Sequence, residues 1–405
     1  MSGAALAIQL QFLLSSTLTG IASGAAVIAS QYWGKRQIQP IRNVFAIAFC
    51  LGTAVGALLA VLGGLFPAPI LRLLTNDEAV IAESALYLRV LAPSYPIFAF
   101  CTIGVAMFRS VERAQVGVYL SLVSLGLDAV LNYILIYGKL GFPSLGIQGA
   151  AIATVISYCA QFALLLICMH RRGQPLRTRF WDCFKAKKAY LKTYVKTSLP
   201  LVGSSLSWGV AMAVQTAILG RMGQQSIAAN SIAATLTQVC SVVAYASAGA
   251  SAVVVGKAVG QGDLQKVKNF ARRLQILFLC IGVLSSGVLF LARSKILTLY
   301  AVSDGTAALA KQFLLVLCVT VFGTSYQMAA LTGIVSGGGD TRFVLINDLI
   351  FMWGIVLPLA LLAAFVWQLS PLIVFVVLKS DQITKCAVAV VKVNRFRWIR
   401  NLTNN

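Results

Sequence analysis

Apolar runs of about twenty residues recur along the whole chain, separated by short polar connections rich in Lys and Arg. Wound as α-helix, each run matches the roughly 30 Å hydrocarbon core of a bilayer. Lipid offers no partner to backbone groups, so spanning segments of this kind are helical. The pattern predicts eleven spanning helices, at about 4–32, 44–66, 85–107, 116–137, 147–169, 196–219, 229–256, 273–292, 309–333, 342–366 and 369–391. The expected organisation is all-α integral membrane, in two helical bundles around a central cleft. An N-terminal lobe of five helices covers 1–169 and a basic cytoplasmic connection 170–195. A C-terminal lobe of six helices covers 196–391 and a cytoplasmic tail 392–405. Small residues inside the helices, such as Gly20, Gly24, Gly52, Gly56 and Gly104, suit close helix packing in lipid.

Composition narrows the class further. Of the 405 residues, 59% are hydrophobic and only 11% charged, against roughly 25% charged in soluble domains. Disorder, which needs low hydrophobicity, is excluded as well. The nine cysteines lie mostly in or at the ends of apolar runs, at spacings that match neither a disulfide framework nor a zinc site. The first apolar stretch has no basic segment ahead of it, so no cleavable signal peptide is expected.

The formal net charge of +22 comes from 33 Lys and Arg against 11 Asp and Glu. Alternate connections, taken with the C-terminal tail, hold 26 of those 33 basic residues; the opposite face and its helix ends hold 7. The positive-inside rule makes the first set cytoplasmic, and Met1 then lies outside. The charge is therefore topology, with contact to anionic lipid headgroups added. Nucleic-acid binding is not expected, because the basic residues are spread over six segments with no binding motif.

An internal repeat underlies the order of helices. Shifted by 226 residues, the chain aligns with itself without a gap from about residue 5 to 137. Val27 meets Val253, Gly34 meets Gly260, Leu58 meets Leu284, Ser110 meets Ser336 and Val130 meets Val356. Matching helices run in the same direction, so the repeats are parallel, about an axis along the membrane normal. In this register the 196–219 helix has no counterpart in the first half. The expectation is a twelve-helix plan lacking its first helix.

Three stretches carry a family resemblance: "GIASGAAVIASQYWGKRQ" (20–37), "LDAVLNYILIYGKLGFPSLGIQGAAIATVISY" (127–158) and "SGGGDTR" (336–342). They resemble the multidrug and toxic compound extrusion (MATE) family, and the tail "WIRNLT" (398–403) is similar to an ending found in one prokaryotic branch. The resemblance implies a secondary active antiporter of the cell membrane that exports organic cations and drugs against protons or sodium. It also implies two six-helix lobes around a V-shaped cleft.

Ionisable groups inside a membrane cost roughly 2.5–3.5 kcal/mol each at a helix centre and mark candidate sites. Asp128 stands about 12 residues into its helix, roughly 18 Å of rise, near mid-membrane. Asn132 follows one turn on, on the same face. Thr154 of the next, antiparallel helix is expected at similar depth to Asn132. A carboxylate, an amide and a hydroxyl make a candidate proton or Na+ site, and burial favours protonation of a carboxyl. The resemblance agrees, since many members carry an Asn and an Asp or Asn at these two positions. The plain alternative is a polar group that holds helices together.

Asp381 and Lys385, spaced i, i+4, and Asp348 are candidates for a second ionisable site. The alternative places the first two as a pair near the cytoplasmic interface, with Lys379 beside them and the lysines reaching toward water. Asp348 is expected to reach interfacial water or Arg342. Trp208, Met212, Tyr245, Tyr326, Met328 and Trp353 are candidates to line a cleft for flat cations through cation–π contact.

"SGGGD" (336–340) lacks the Gly-Lys-Ser/Thr of a phosphate loop and reads as a tight turn. No catalytic triad or metal-ligand cluster is evident, so an enzyme is not expected, and transport energy must come from an ion gradient. No cofactor is expected beyond H+ or Na+ as coupling ion. The expected partners are small organic cations or drugs and membrane lipids, and the chain is expected to act as a monomer. Two other readings remain open: a flippase for lipid or lipid-linked oligosaccharide, and a truncated, inactive transporter.

Overall fold

The computed structural model describes residues 2–72, 77–141, 143–171, 175–176, 188–297 and 303–403; the side chains of 2–8 and 188 are not among them. Much of the basic 170–195 connection, with Arg172, Arg177, Arg179, Lys185 and Lys187, lies outside the described residues.

The described residues are helical, with no strand among them. In chain order the helices are α1 (Ser2–Gly34), α2 (Ile38–Leu65), α3 (Pro67–Arg72), α4 (Glu78–Leu91), α5 (Tyr95–Ser110), α6 (Ala114–Tyr137) and α7 (Gly146–His170). There follow α8 (Leu191–Arg221), α9 (Gln224–Gln261), α10 (Leu264–Leu297) and α11 (Asp304–Met328). The last are α12 (Thr341–Asp348), α13 (Leu357–Leu361), α14 (Pro371–Lys379) and α15 (Asp381–Asn394). π-Helical segments at Ala329–Val335, Leu349–Val356 and Leu362–Val366 continue α11, α12 and α13. Local signals set several ends. The Asp77 carboxylate accepts from the backbone N–H of Ala79 and Val80 and starts α4. Gly138, at φ 65°, ends α6 in the left-handed conformation that costs glycine least.

Ten helical stretches among the described residues are long and apolar enough to cross a membrane. The eleventh expected span, 369–391, takes a different form. It is the pair α14 and α15, each shorter than the ~20 residues a bilayer requires, joined by Ser380 whose backbone stays near helical values. Lys379, Asp381 and Lys385 lower the hydropathy of this stretch, and they sit at its centre rather than in a tail.

The chain forms two compact units, Met1–Ser205 and Leu206–Asn405, which divide inside α8. In the first unit the start of α8 packs on α1: the Tyr194 hydroxyl donates to the Ile21 carbonyl at 2.8 Å. Its core holds an edge-to-face series of rings. Phe49 and Phe100 lie 4.7 Å apart at 90°, and Phe100 and Phe162 lie 5.0 Å apart at 75°. Such pairs add about 0.5–1.5 kcal/mol each beyond area burial. In the second unit Phe313 stacks on Phe375 at 4.0 Å within one apolar cluster. A further cluster gathers Phe278, Tyr326 and the fully buried Trp398.

The repeat is visible in the helix bounds. A shift of 226 carries the start of α2 at Ile38 onto the start of α10 at Leu264, and the start of α4 at Glu78 onto that of α11 at Asp304. It carries Gly146 of α7 to residue 372, one residue after α14 begins at Pro371. The correspondence therefore extends past residue 137 to α7, whose shifted span falls on α14 and α15.

Candidate functional site

In the first unit the candidate site is built on α6. The Asn132 amide nitrogen donates to Asp128 Oδ2 at 2.9 Å. Asp128 Oδ1 is buried and has no hydrogen-bond partner among the described residues. Thr154 does not join the pair: its hydroxyl donates to Ala150 of its own helix at 3.1 Å. Two tyrosines from neighbouring helices lie within electrostatic reach of Asp128, Tyr87 of α4 and Tyr158 of α7. The Tyr158 hydroxyl accepts from the Gln11 amide of α1 at 2.8 Å. Tyr95, close to both tyrosines, has a buried hydroxyl with no hydrogen-bond partner among the described residues. Orphaned buried polar atoms are uncommon and call for an explanation such as a bound ion or proton. The expectation from sequence did not include Gln11, Tyr87, Tyr95 or Tyr158. The available signal was the shared face of Thr154 and Tyr158, four residues apart on α7.

The donor set at Asp128 bears on the choice of ion. One oxygen already receives an N–H from Asn132, and an N–H repels a metal cation. Thr154 is turned to its own backbone. A proton needs only Oδ1, whereas Na+ requires oxygens gathered around it, with the Asn132 amide turned over.

In the second unit Asp348, Asp381 and Lys385 come together. The Lys385 ammonium lies 3.1 Å from Asp348 Oδ1 and 3.2 Å from Asp381 Oδ2. Asp348 therefore pairs with a lysine of α15, not with Arg342. Its own helix leads into the Leu349–Val356 π-helical segment, which packs on α14 and α15. Asp381 is 1% exposed, so a charge there is sustained only by close partners. The Gln382 amide nitrogen also reaches both of its oxygens at 2.9 Å, and Gln382 Oε1 accepts from Thr324 and Gln327. The junction at Ser380 suits these charges. Lys379 closes α14 and Asp381 opens α15, each at the helix end whose dipole favours its sign.

The six aromatic and methionine candidates separate. Trp353 is exposed, and its indole N–H donates to Ser207 at 2.7 Å. Trp208 and Tyr245 are exposed, while Met212 and Met328 are half-buried. Tyr326 belongs to the apolar core, with its hydroxyl on Gln275 at 2.7 Å, so it is packing rather than lining. No cluster of metal-binding side chains is present among the described residues.

Comparison with known proteins gives this architecture a family. The MatE family profile matches residues 1–134 and 200–362. The probable multidrug resistance protein YoeA of Bacillus subtilis (strain 168) is 25% identical over 369 residues, spanning 90% of this chain and 79% of that protein. The probable multidrug resistance protein NorM of Geobacillus kaustophilus (strain HTA426) is 28% identical over 349 residues, spanning 84% and 75%. Two solved structures share the fold. An outward-facing multidrug resistance MATE family transporter of the MOP superfamily superposes at a TM-score of 0.88, with 19% identity over 97% of this chain and 87% of that one. A MOP superfamily transporter from Pyrococcus furiosus, described as having a binding pocket of reverse polarity, superposes at 0.87, with 20% identity over 100% and 89%. The chain is a multi-pass membrane protein and belongs to the MatE family of multidrug and toxic compound extrusion transporters.

Proposed function

We propose that the protein is a secondary active antiporter of the cell membrane that exports organic cations and drugs, with the proton as coupling ion and Asp128 as its carrier. The observation that carries the reading is the buried, unpartnered Oδ1 of Asp128 beside an oxygen already engaged by Asn132. Protonation at Oδ1 removes a buried charge whose cost the surroundings only half offset. Ion binding drives a conformational change only when the ion binds the two states differently. A carboxyl with one free, enclosed oxygen meets that condition if the alternate state hydrates it. The relatives named as multidrug resistance proteins support the export of drugs. The paired amide supports protons over sodium.

The test is efflux from liposomes under independently imposed pH and Na+ gradients. A pH gradient alone is expected to drive export of a cationic dye. Export driven by Na+ alone would overturn the choice of ion, and export that ignores both gradients would overturn antiport.

A further inference from the structure

The charged groups of the second unit are not evenly satisfied. Both carboxylates share a cationic partner: Lys385 contacts Asp348 and Asp381, and Gln382 donates to both oxygens of Asp381. Lys379 is different. The residue is half-buried; its ammonium donates to Gln215 Oε1 at 3.1 Å and lies 5.7 Å from the Phe375 ring. No carboxylate lies within ion-pair distance of it among the described residues. An ammonium carries three donors, so two of them have no acceptor here.

Gln215 adds to the imbalance. It is 4% exposed, its carbonyl faces Lys379, and its amide nitrogen has only the Met352 thioether, at 3.4 Å. A thioether is a weak acceptor. The junction of α8, α14 and the Leu349–Val356 segment is thus rich in donors and short of acceptors. The Phe375 ring, beside the ammonium, supplies an aromatic face. A partly buried cation with a single neutral acceptor is costly; an anionic group lowers that cost, and a second cation raises it.

We propose that Lys379 and the Gln215 amide nitrogen form a binding site for the carboxylate of an aromatic organic acid or zwitterion. This goes beyond the cation-export reading, because it gives the second unit a place for negative charge, and it does not rest on the identity of the coupling ion.

The test uses the full chain in phosphatidylcholine nanodiscs, with equilibrium dialysis of 1-naphthoate and of 1-naphthylmethylammonium, which share a ring and differ in charge. Saturable naphthoate binding is expected in the wild type. Lys379→Gln is expected to weaken it about tenfold or more, the loss typical of a hydrogen bond to a charged group, and Lys379→Arg to retain it. The ammonium probe is expected to bind Lys379→Gln no more weakly than wild type. Should Lys379→Gln fail to fold, Gln215→Leu is expected to weaken naphthoate selectively. Equal naphthoate affinity in wild type and Lys379→Gln, or no saturable binding in wild type, overturns the proposal. Loss of naphthoate binding on adding phosphatidylglycerol would assign the donors to a lipid headgroup and overturn the solute reading. Cationic-dye efflux by Lys379→Gln liposomes is expected to persist, which separates this site from the one at Asp128.

Discussion

Asn132 and Asp128 stand one turn apart on α6, and their 2.9 Å hydrogen bond leaves the second carboxylate oxygen buried and unpartnered among the described residues. An arrangement that satisfies one oxygen and withholds partners from the other is poor glue and leaves an oxygen open to the proton the proposed mechanism requires. Asp128→Asn is therefore expected to reduce gradient-driven efflux to the level of protein-free liposomes, with the melting temperature unchanged or raised. Asp128→Glu keeps the titrating group and is expected to retain part of the rate. Undiminished gradient-dependent efflux by Asp128→Asn would remove the residue from the mechanism.

The Lys385 cluster should respond in the opposite sense, through stability. Removing one partner of a buried pair typically costs about 3–5 kcal/mol, because a charge is left uncompensated. Lys385→Met is expected to lie in that range, since it removes the one ammonium that two carboxylates share. Asp381→Asn should cost more than Asp348→Asn, because the Asp381 side chain is 1% exposed and that of Asp348 26%. The triple variant Asp348→Asn, Asp381→Asn, Lys385→Met leaves no charge stranded at the cluster and is expected to recover most of the loss. Thermal unfolding in detergent checks the order; a triple variant less stable than Lys385→Met alone would contradict it.

The helical plan was legible because the bilayer enforces it. Each span must present about twenty apolar residues, and duplication repeats that demand, so α2 and α10 could be registered from the sequence before any contact was known. The chemistry was less legible for a physical reason. Lys379 and Lys385 have stems long enough to reach an interface from within a helix, and nothing local distinguishes that from a buried pair. What decides is Asp348, 37 residues earlier on a different helix. The junction at Ser380 is hidden too, since its backbone stays near helical values at φ −64° and ψ −28°. The duplication does not help with the site. The shift of 226 takes Asp128 to Gly354 and Lys385 back to Cys159, so the two units share a scaffold but not their charges.

The tail offers a test of what the "SGGGD" turn is for. Trp398 is fully buried against Gly338, where any Cβ would collide with the indole ring. The Arg400 backbone N–H donates to the Gly338 carbonyl at 2.7 Å. Asp340, 2% exposed, pairs with Lys392 at 2.8 Å and Arg400 at 3.2 Å. The turn is thus a seat for the C-terminus rather than a ligand loop. Trp398→Ala is expected to cost about 3–5 kcal/mol, as for other large buried rings, and Gly338→Ala to lower the melting temperature through the same contact. Combined, the two changes should cost less than their sum, because alanine at 398 leaves room for the new methyl group. Strict additivity would show that the contact is not shared.

The Gln11–Tyr158 hydrogen bond links α1 to α7 beside Asp128, and it gives the clearest separation of packing from coupling. Tyr158→Phe keeps the ring, its contact with Phe98 at 5.0 Å included. It removes only the hydroxyl, a change worth about 1 kcal/mol when a neutral hydrogen bond is lost. Gln11→Leu removes the other partner. If the bond serves stability alone, each variant should lower the melting temperature and leave the pH dependence of efflux where it was. If the hydroxyl helps set the environment of Asp128, Tyr158→Phe should shift the pH midpoint of efflux, and the same substitution in an Asp128→Glu background should shift it by a different amount. That interaction is the quantity a double-mutant cycle isolates. An efflux profile unchanged in both backgrounds would assign the tyrosine to packing and leave Asp128 and Asn132 to carry the proton without it.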